Sequence, residues 1–203
     1  MNYQEISDTA FAYADRKDAN TIAQFPAFMK IVESRINRML KTFDMSSRAM
    51  MPVVTGQFYY GLPDDFAGLR SIALVPAADQ NGTRTTLEYV SPEQMNIAQV
   101  SNAPVYTLVA NQVQINPYTD TYLLEIIYYR RLPPLTTALA SNWLSASSPD
   151  VYVFGVMVEI MAYVKNPENA TLWNGRFAEA LAEITKEDDI LRWSGTPLTV
   201  KVG

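Results

Sequence analysis

Apolar residues recur three and four positions apart in the N-terminal part of the chain, which is the spacing of one face of an α-helix. The pattern predicts a first helix over residues 3–17 and a second over about residues 22–43. Asn20 and Thr21 offer an N-cap for the second helix, and Pro26 lies close enough to the start of that helix to be tolerated. The predicted apolar face of the second helix consists of Phe25, Phe28, Met29, Val32, Ile36, Met39, Leu40 and Phe43.

The period changes after Asp44, where short β-prone stretches are separated by proline and glycine. Residues 69–77 alternate as a strand does. The Asn81-Gly82 dipeptide that follows predicts a type I′ hairpin, because both central positions of that turn need positive φ. Residues 83–90 are then the return strand. Ser91 predicts the N-cap of a short helix, and a further hairpin is predicted around Asn111.

The clearest strand prediction is the stretch YLLEIIYYRR, residues 122–131. Its apolar side chains alternate onto both faces, and Glu125 interrupts one of them. A strand with apolar residues on both faces is typical of the interior of a sheet. The alternative is a strand with one face packed against another chain.

Helical spacing returns after Pro133-Pro134. A flexible Ser-rich turn that starts at Asn142 is predicted to lead into a helix, with Ser148 as the N-cap and Pro149 at the first helical position. Asn166-Pro167 is predicted to end this helix and to cap the next one. The predicted apolar stripe of the final helix consists of Trp173, Phe177, Ala180, Leu181, Ile184 and Leu191.

These elements predict an α+β fold in which helices at both ends of the chain surround an insertion. Residues 1–45 and 141–192 are predicted to form one helical bundle, and residues 46–140 an inserted antiparallel β-domain. Residues 193–203 are predicted to be an extended C-terminal arm. Leu198, Val200 and Val202 alternate in this arm as in a strand with no local partner. The arm is therefore a frayed end, a strand returning to its own sheet, or a strand that adds to another subunit.

The amino-acid composition excludes several classes of function, whereas it says little about the fold. The 203 residues contain no cysteine and no histidine, which removes thiol chemistry, the commonest metal ligand and the commonest general base near neutral pH. The net charge of −5 makes the chain a poor generic binder of phosphate backbones. The N-terminus is not that of a signal peptide, and the longest apolar run, residues 151–164, is too short to cross a bilayer.

Candidate catalytic carboxylates occur as neighbours in the chain, at Asp64-Asp65 and in residues 187–189. Glycoside hydrolysis needs two carboxyl groups that converge across a cleft, so these groups are better interpreted as a turn and a solvated helix end. The stretch DQNGT, residues 79–83, lacks the later acidic ligands of a calcium loop. The stretch YYRR, residues 128–131, combines aromatic and basic residues as single-strand binders do, but a strand end with solvated arginines is the favoured interpretation.

Four stretches in this order resemble the phage head-to-tail adaptor family, which comprises tail accessory or head-completion factors and A-type tail tubular proteins. They are YYGLPDDFAGLRSIAL (residues 59–74), LEYVSPEQM (residues 87–95), LLEIIYYRRLPPLT (residues 123–136) and NWLSASSPDVYVFGVMVEIMAY (residues 142–163). Each stretch alone is a weak motif, and their order and spacing carry the resemblance. The family often has leucine where Ser145 and Val151 stand, and both departures are mild.

The resemblance implies a structural protein without cofactor or metal, which forms a ring of commonly twelve copies beneath the portal and extends the DNA channel towards the tail. Its implied partners are the portal protein, tail nozzle or tail tube proteins and further copies of itself. DNA would pass through the lumen without specific binding, and no membrane is involved. The implied location is the tail or neck of the virion, after synthesis in the host cytoplasm. Some relatives are credited with cell-wall hydrolysis, which is not carried over to a chain without histidine or a convincing carboxylate pair.

The resemblance also suggests which residues meet the partners. The contacts with the portal are expected in the C-terminal arm, at Trp193, Leu198, Val200 and Val202. Asn142 and Trp143 are predicted to anchor the crossing from the β-domain back to the bundle, although Trp143 is as well explained as a core residue. Two other functions stay open. One is a virion-associated peptidoglycan hydrolase that uses carboxylates such as those of Asp64, Asp65 or Glu159, and the other is a tail component without portal contact.

Overall fold

The computed structural model describes residues 1–95, 104–116 and 118–193. Helices and antiparallel sheets are both present, so the predicted α+β class is confirmed. The chain divides into two compact units. The helical unit contains Met1–Asp44 and the chain from Leu132 onward, and the β unit contains Met45–Arg131. Among the described residues, no helix combines the length and the apolar character that a bilayer crossing requires.

The first helix, α1 (Tyr3–Tyr13), starts at a capping box in which Asn2 and Glu5 satisfy each other's backbone N–H groups. It ends four residues before the predicted boundary at residue 17. The reason is local, because Asp15 adopts a left-handed conformation with φ of 47° that cannot continue a right-handed helix.

The predicted second helix is in fact two helices, α2 (Ala19–Ala23) and α3 (Phe25–Met39). Asp18, rather than Asn20 or Thr21, caps α2, because its carboxylate accepts the Thr21 N–H at 3.0 Å. Pro26 lies in the first turn of α3, as expected. The predicted end at residue 43 is wrong, since Leu40 is already extended and Phe43 lies in a short 3₁₀ helix with 63% of its surface exposed.

The helical unit continues with α4 (Trp143–Ser147), α5 (Pro149–Tyr163) and α6 (Pro167–Trp193). Helix α5 packs against α1, α3 and α6, and it is buried on most sides. The predicted stripe of α6 is correct at Phe177, Ala180 and Leu181, which are buried, and wrong at Leu191, which is exposed. Asn166 caps α6 as predicted, because its side chain accepts the Asn169 N–H at 3.2 Å.

The predicted Ser-rich turn is helix α4 instead. Asn142 starts this helix through a capping box with Ser145, in which each side chain accepts the other residue's backbone N–H. Ser148 is the N-cap residue of α5 and Pro149 its first helical residue, as predicted, but the Ser148 side chain makes no capping hydrogen bond. The Ser148 N–H donates to the Leu144 carbonyl, so the same residue also ends α4, and Pro149 starts α5 without a side-chain capping bond.

The β unit contains eight described strands in two four-stranded sheets, ordered β1-β8-β3-β4 and β2-β7-β6-β5. The strands are β1 (Ser46–Pro52), β2 (Tyr59–Gly61), β3 (Phe66–Pro76), β4 (Thr85–Thr86), β5 (Glu88–Tyr89), β6 (Val105–Val109), β7 (Gln112–Ile115) and β8 (Tyr122–Arg130). Strand β8 lies between β1 and β3, which confirms the prediction of an interior strand. Buried residues of both sheets form one core, including Ile72, Leu124 and Ile126 from the first sheet and Val113 and Ile115 from the second.

The hairpin around Asn111 is confirmed, with Ala110 at a positive φ of 53° between β6 and β7. The type I′ turn at Asn81-Gly82 is wrong, because neither residue has positive φ. Asp79 shapes this turn by accepting the N–H groups of Asn81 and Gly82. The return strand is also divided, since β4 pairs with β3 while β5 joins the other sheet as a parallel neighbour of β6.

The short helix predicted after Ser91 is present at residues 92–95, and the Ser91 hydroxyl accepts the Gln94 N–H at 3.4 Å. The rest of that predicted helix lies outside the described residues.

Candidate functional site

The residues predicted to contact the portal fall at the limit of what the structure describes. Trp193 is the last residue of α6. Leu198, Val200 and Val202 lie outside the described residues. Their role therefore stays a prediction.

Residues 132–142 lead from the β unit into α4, and we call them the return segment. Asn142, one of the two predicted anchor residues, belongs to a hydrogen-bonded cluster on this segment. The Asn142 side chain makes three contacts there. Its oxygen accepts the Ser145 N–H at 2.9 Å, and its nitrogen donates to the Pro133 carbonyl at 3.0 Å and to the Tyr152 hydroxyl at 2.8 Å. Trp143 is half-buried beside it. Asn142 thus joins the return segment to α4 and α5.

Helix α3 holds the other end of the return segment through two side chains that sequence reasoning missed. Asn37 accepts the Leu132 N–H at 2.8 Å, and Glu33 accepts the Leu135 N–H at 2.6 Å. Glu33 and Asn37 are four residues apart and therefore share one face of α3. The two prolines between the leucines have no N–H, so the leucine amides are the donors that this stretch offers.

Glu33 is an acid in an apolar setting, with only 8% of its surface exposed. Burial raises the pKa of the Glu33 carboxyl above its ordinary value of 4.5, and the hydrogen bond from Leu135 acts in the opposite direction. The pKa of Tyr152 is raised by burial, which the hydrogen bond with Asn142 opposes and the charge of Glu33 reinforces. Burial also raises the pKa of Tyr3, again with a contribution from Glu33. The electrostatics of this cluster therefore depend on one buried carboxylate.

Replacing Glu33 with glutamine is expected to stabilise the protein at pH 8, because the amide keeps an acceptor for the Leu135 N–H and removes a buried charge. A carboxyl whose pKa is raised by folding stabilises the fold below about pH 4.5 and loses that contribution as the pH rises through the folded-state value. The Tm of E33Q should therefore exceed that of the parent chain by about 2–4 °C at pH 8. The difference should vanish at pH 4.

Calorimetric or optical melts of both proteins across this pH range measure the effect. The matched control is Glu187→Gln, which removes an exposed carboxylate from α6 and should leave the pH profile of Tm parallel to that of the parent. A destabilised E33Q at pH 8 would contradict the prediction.

A second charged cluster lies in the first sheet of the β unit. Glu125 on β8 is 4% exposed and accepts hydrogen bonds from Arg48 on β1 and from Arg84, the latter at 2.6 Å. Burial raises the pKa of Glu125, but the hydrogen bonds and charges of Arg84 and Arg48 outweigh it, so the net pKa is lowered. The cluster thus ties three parts of one sheet together with a carboxylate that stays ionised.

Three of the carboxylates considered for catalysis, those of Asp65, Glu159 and Asp188, have structural partners. Asp65 accepts the Tyr128 hydroxyl at 2.9 Å, and Glu159 pairs with Arg35 at 3.4 Å. Asp188 pairs with Arg192 at 2.6 Å. Over residues 1–95, 104–116 and 118–193, no group of three or more acidic side chains is arranged to hold a metal ion. Tyr128 is buried, so the YYRR stretch does not present two stacking rings on one surface.

The chain that carries both clusters matches one known protein family over almost its entire length. The family model of the SU10 adaptor protein matches residues 1–201. The chain belongs to the SU10 adaptor protein family. Membership in this family confirms the resemblance to phage head-to-tail adaptors and makes the chain a phage adaptor protein. A comparison with curated proteins gives no match.

Proposed function

We propose that this phage adaptor is a structural head-to-tail connector, which assembles as a ring below the portal and extends the DNA channel to the tail. The observation that carries the proposal is the family match over residues 1–201. In the proposed assembly the ring is dodecameric. Its partners are the portal protein, the tail nozzle or tail tube proteins and neighbouring copies of the chain. DNA passes through the lumen without specific binding, and the protein resides in the virion neck after synthesis in the host cytoplasm.

The proposal includes no chemical step. Asp65 and Glu159, two of the acids that a hydrolase could have used, are engaged with Tyr128 and Arg35. Ring assembly needs instead two complementary surfaces on each subunit, related by a rotation that closes. We further propose that Asn142 and Trp143 fix the return segment, which supports the surfaces rather than a reaction. The hydrogen bonds from Asn142 to Pro133 and Tyr152 support this role.

Within this function, we assign the portal contact to the segment from Trp193 to the C-terminus. Trp193, Leu198, Val200 and Val202 are the proposed contact residues. The support is their apolar character, the position of Trp193 as the last residue of α6, and the alternation of the other three residues in the sequence. Apolar side chains at a protein interface are stabilised by their removal from water.

Deletion of residues 194–203 is expected to abolish portal binding and to leave the rest of the chain folded. A finer test replaces Leu198, Val200 and Val202 together with serine. Burial of each such side chain contributes about 1.5–3 kcal/mol, so the affinity for the purified portal should fall by at least about 100-fold. Binding is measured by biolayer interferometry and by micrographs of the mixture.

The matched control replaces the intervening Thr199 and Lys201 with alanine, which changes the polar positions of the same stretch of sequence. This control should bind the portal within a few-fold of the parent chain. Circular dichroism and Tm report whether the helical and β units are intact. Portal attachment at full strength after the deletion would overturn the assignment of the contact to this segment.

A further inference from the structure

Three pockets of about 390–480 Å³ lie on the helical unit, and Glu33 lines one of them. This one, of about 460 Å³, we call the Glu33 pocket. The rings and methyl groups of Tyr3, Pro26, Met29 and Pro134 supply its apolar lining. The exposed Thr136 and Thr137 add two hydroxyl groups.

The carboxylate of Glu33 has no cationic partner among the described residues that line this pocket. One carboxylate oxygen accepts the Leu135 N–H. No further hydrogen bond and no ion pair of Glu33 is formed within the described part of the chain. Lys30 lines the same pocket and is exposed, but its ammonium group is not within ion-pair distance of Glu33. A buried carboxylate of this kind is costly unless a cation meets it.

We propose that the Glu33 pocket receives one arginine or lysine side chain from a neighbouring protein subunit in the assembled particle. This inference rests on the proposed function, in which the chain acts by binding protein neighbours. The chemistry of the pocket fits such a side chain along its length. The methylene groups of the arginine or lysine lie against the apolar lining, and its cationic end meets the carboxylate of Glu33.

The alternatives fit less well. A nucleic acid would bring phosphate groups towards a carboxylate, which is repulsive. A purely apolar side chain would complete the burial of Glu33 without supplying a partner for its charge. An arginine also offers several donors, so it can bind the carboxylate and keep donors for other polar groups of the pocket.

The test uses the full chain and two short peptides, acetyl-Gly-Leu-Arg-Leu-Gly-amide and the same peptide with citrulline in place of arginine. Citrulline keeps the shape of the side chain and removes its charge. Each peptide is titrated into ¹⁵N-labelled protein, and the amide signals of Leu135, Thr136 and Thr137 report binding. The arginine peptide should bind at least about tenfold more tightly than the citrulline peptide.

Two variants locate the effect. E33Q keeps the acceptor for Leu135 and should abolish the preference for arginine, whereas Glu187→Gln on α6 should retain it. Lys30→Ala leaves Glu33 in place and removes a competing cation, so it should tighten binding of the arginine peptide by at least about twofold. This variant keeps the test decisive if E33Q folds poorly.

Equal affinity of the two peptides would overturn the proposal, and so would unchanged arginine binding by E33Q. Tight binding of 1,4-diaminobutane at the same amides, without binding of the arginine peptide, would assign the pocket to a free polyamine instead. The outcome is separable from that of the portal experiment. The peptide titration requires no portal, and the deletion of residues 194–203 keeps every described residue that lines the Glu33 pocket.

Discussion

Replacing Gly155 with alanine is expected to destabilise the helical unit by about 1–2 kcal/mol, although the same change normally stabilises a helix. Gly155 lies in the middle of α5, where side chains of α3 and α6 lie against its backbone. A Cβ atom there would lie 2.6 Å from Cγ1 of Val32 and 3.1 Å from the ring of Phe177. Neither side chain can yield easily, because Val32 is stiff at χ1 and both are buried.

The magnitude follows from two opposed effects. A contact of 2.6 Å forces a neighbour to move, which places the overpacking cost at about 2–3 kcal/mol, and the better helix propensity of alanine returns about 1 kcal/mol. The Tm should fall by several degrees in a thermal melt, and Gly155→Val should lower it further.

Gly175 provides the matched control, because it also lies within a helix and no atom is within 4 Å of its Cβ position. Gly175→Ala should stabilise the protein by about 1 kcal/mol, since only the propensity term acts. Val32→Ala should relieve the clash of Gly155→Ala, so a double-mutant cycle between residues 32 and 155 should give a favourable coupling energy. Equal responses of the two glycines to alanine would show that α3, α5 and α6 pack less closely than described.

Replacing Asn142 with alanine is expected to cost about 2–4 kcal/mol, because one side chain makes three of the contacts that hold the return segment. Loss of the N-cap of α4 accounts for about 0.5–2 kcal/mol. Loss of the donor to the fully buried Tyr152 hydroxyl adds about 1–3 kcal/mol. Denaturant unfolding measures the total, and hydrogen exchange of the amides in α4 reports the local part.

Two further variants divide this cost between its sources. Asn142→Ser keeps a capping oxygen and removes the nitrogen, so it should lose only the part that depends on Tyr152 and Pro133. Tyr152→Phe removes the hydroxyl, and in that background Asn142→Ala should cost less than it does alone. An alanine variant within 0.5 kcal/mol of the parent would show that Asn142 does not hold the return segment.

The parts of the fold that depend on neighbouring residues were predictable from the sequence. The range and interior position of β8 follow from a period-two pattern with apolar residues on both faces. The Asn166 cap and the hairpin after Val109 are local signals of the same kind. The wrong predictions at Asn81-Gly82 and at the Ser148 hydroxyl also concern local structure. At each place a second local interaction competes with the one that the sequence pattern predicts. At Asn81-Gly82 the side chain of Asp79 accepts the Asn81 N–H, and its backbone carbonyl accepts the Gly82 N–H, which sets the turn. Ser148 is both the last residue of the α4 turn and the N-cap residue of α5, and its hydroxyl makes no capping hydrogen bond.

The candidate site could not be predicted in the same way, because its contacts join residues far apart in the sequence. The hydrogen bond from Leu135 to Glu33 spans 102 residues, and the one from Leu132 to Asn37 spans 95. The only trace of the first in the sequence is an acid among the apolar positions of α3. A family resemblance points to Asn142, but its bonds to Pro133 and Tyr152 form only when the return segment, α4 and α5 have folded together.

Asp188 occupies a mechanically significant place in the helical unit. One of its carboxylate oxygens accepts the Phe43 N–H at 2.7 Å, and the other pairs with Arg192. Phe43 is two residues before Met45, where the β unit begins. Asp188 lies five residues before Trp193, which is about 7.5 Å along a helix. A force that pulls on the end of α6 would therefore act close to the hydrogen bond between Asp188 and Phe43. Tension applied at the C-terminal end of α6 would therefore reach Phe43 through a single side chain, that of Asp188.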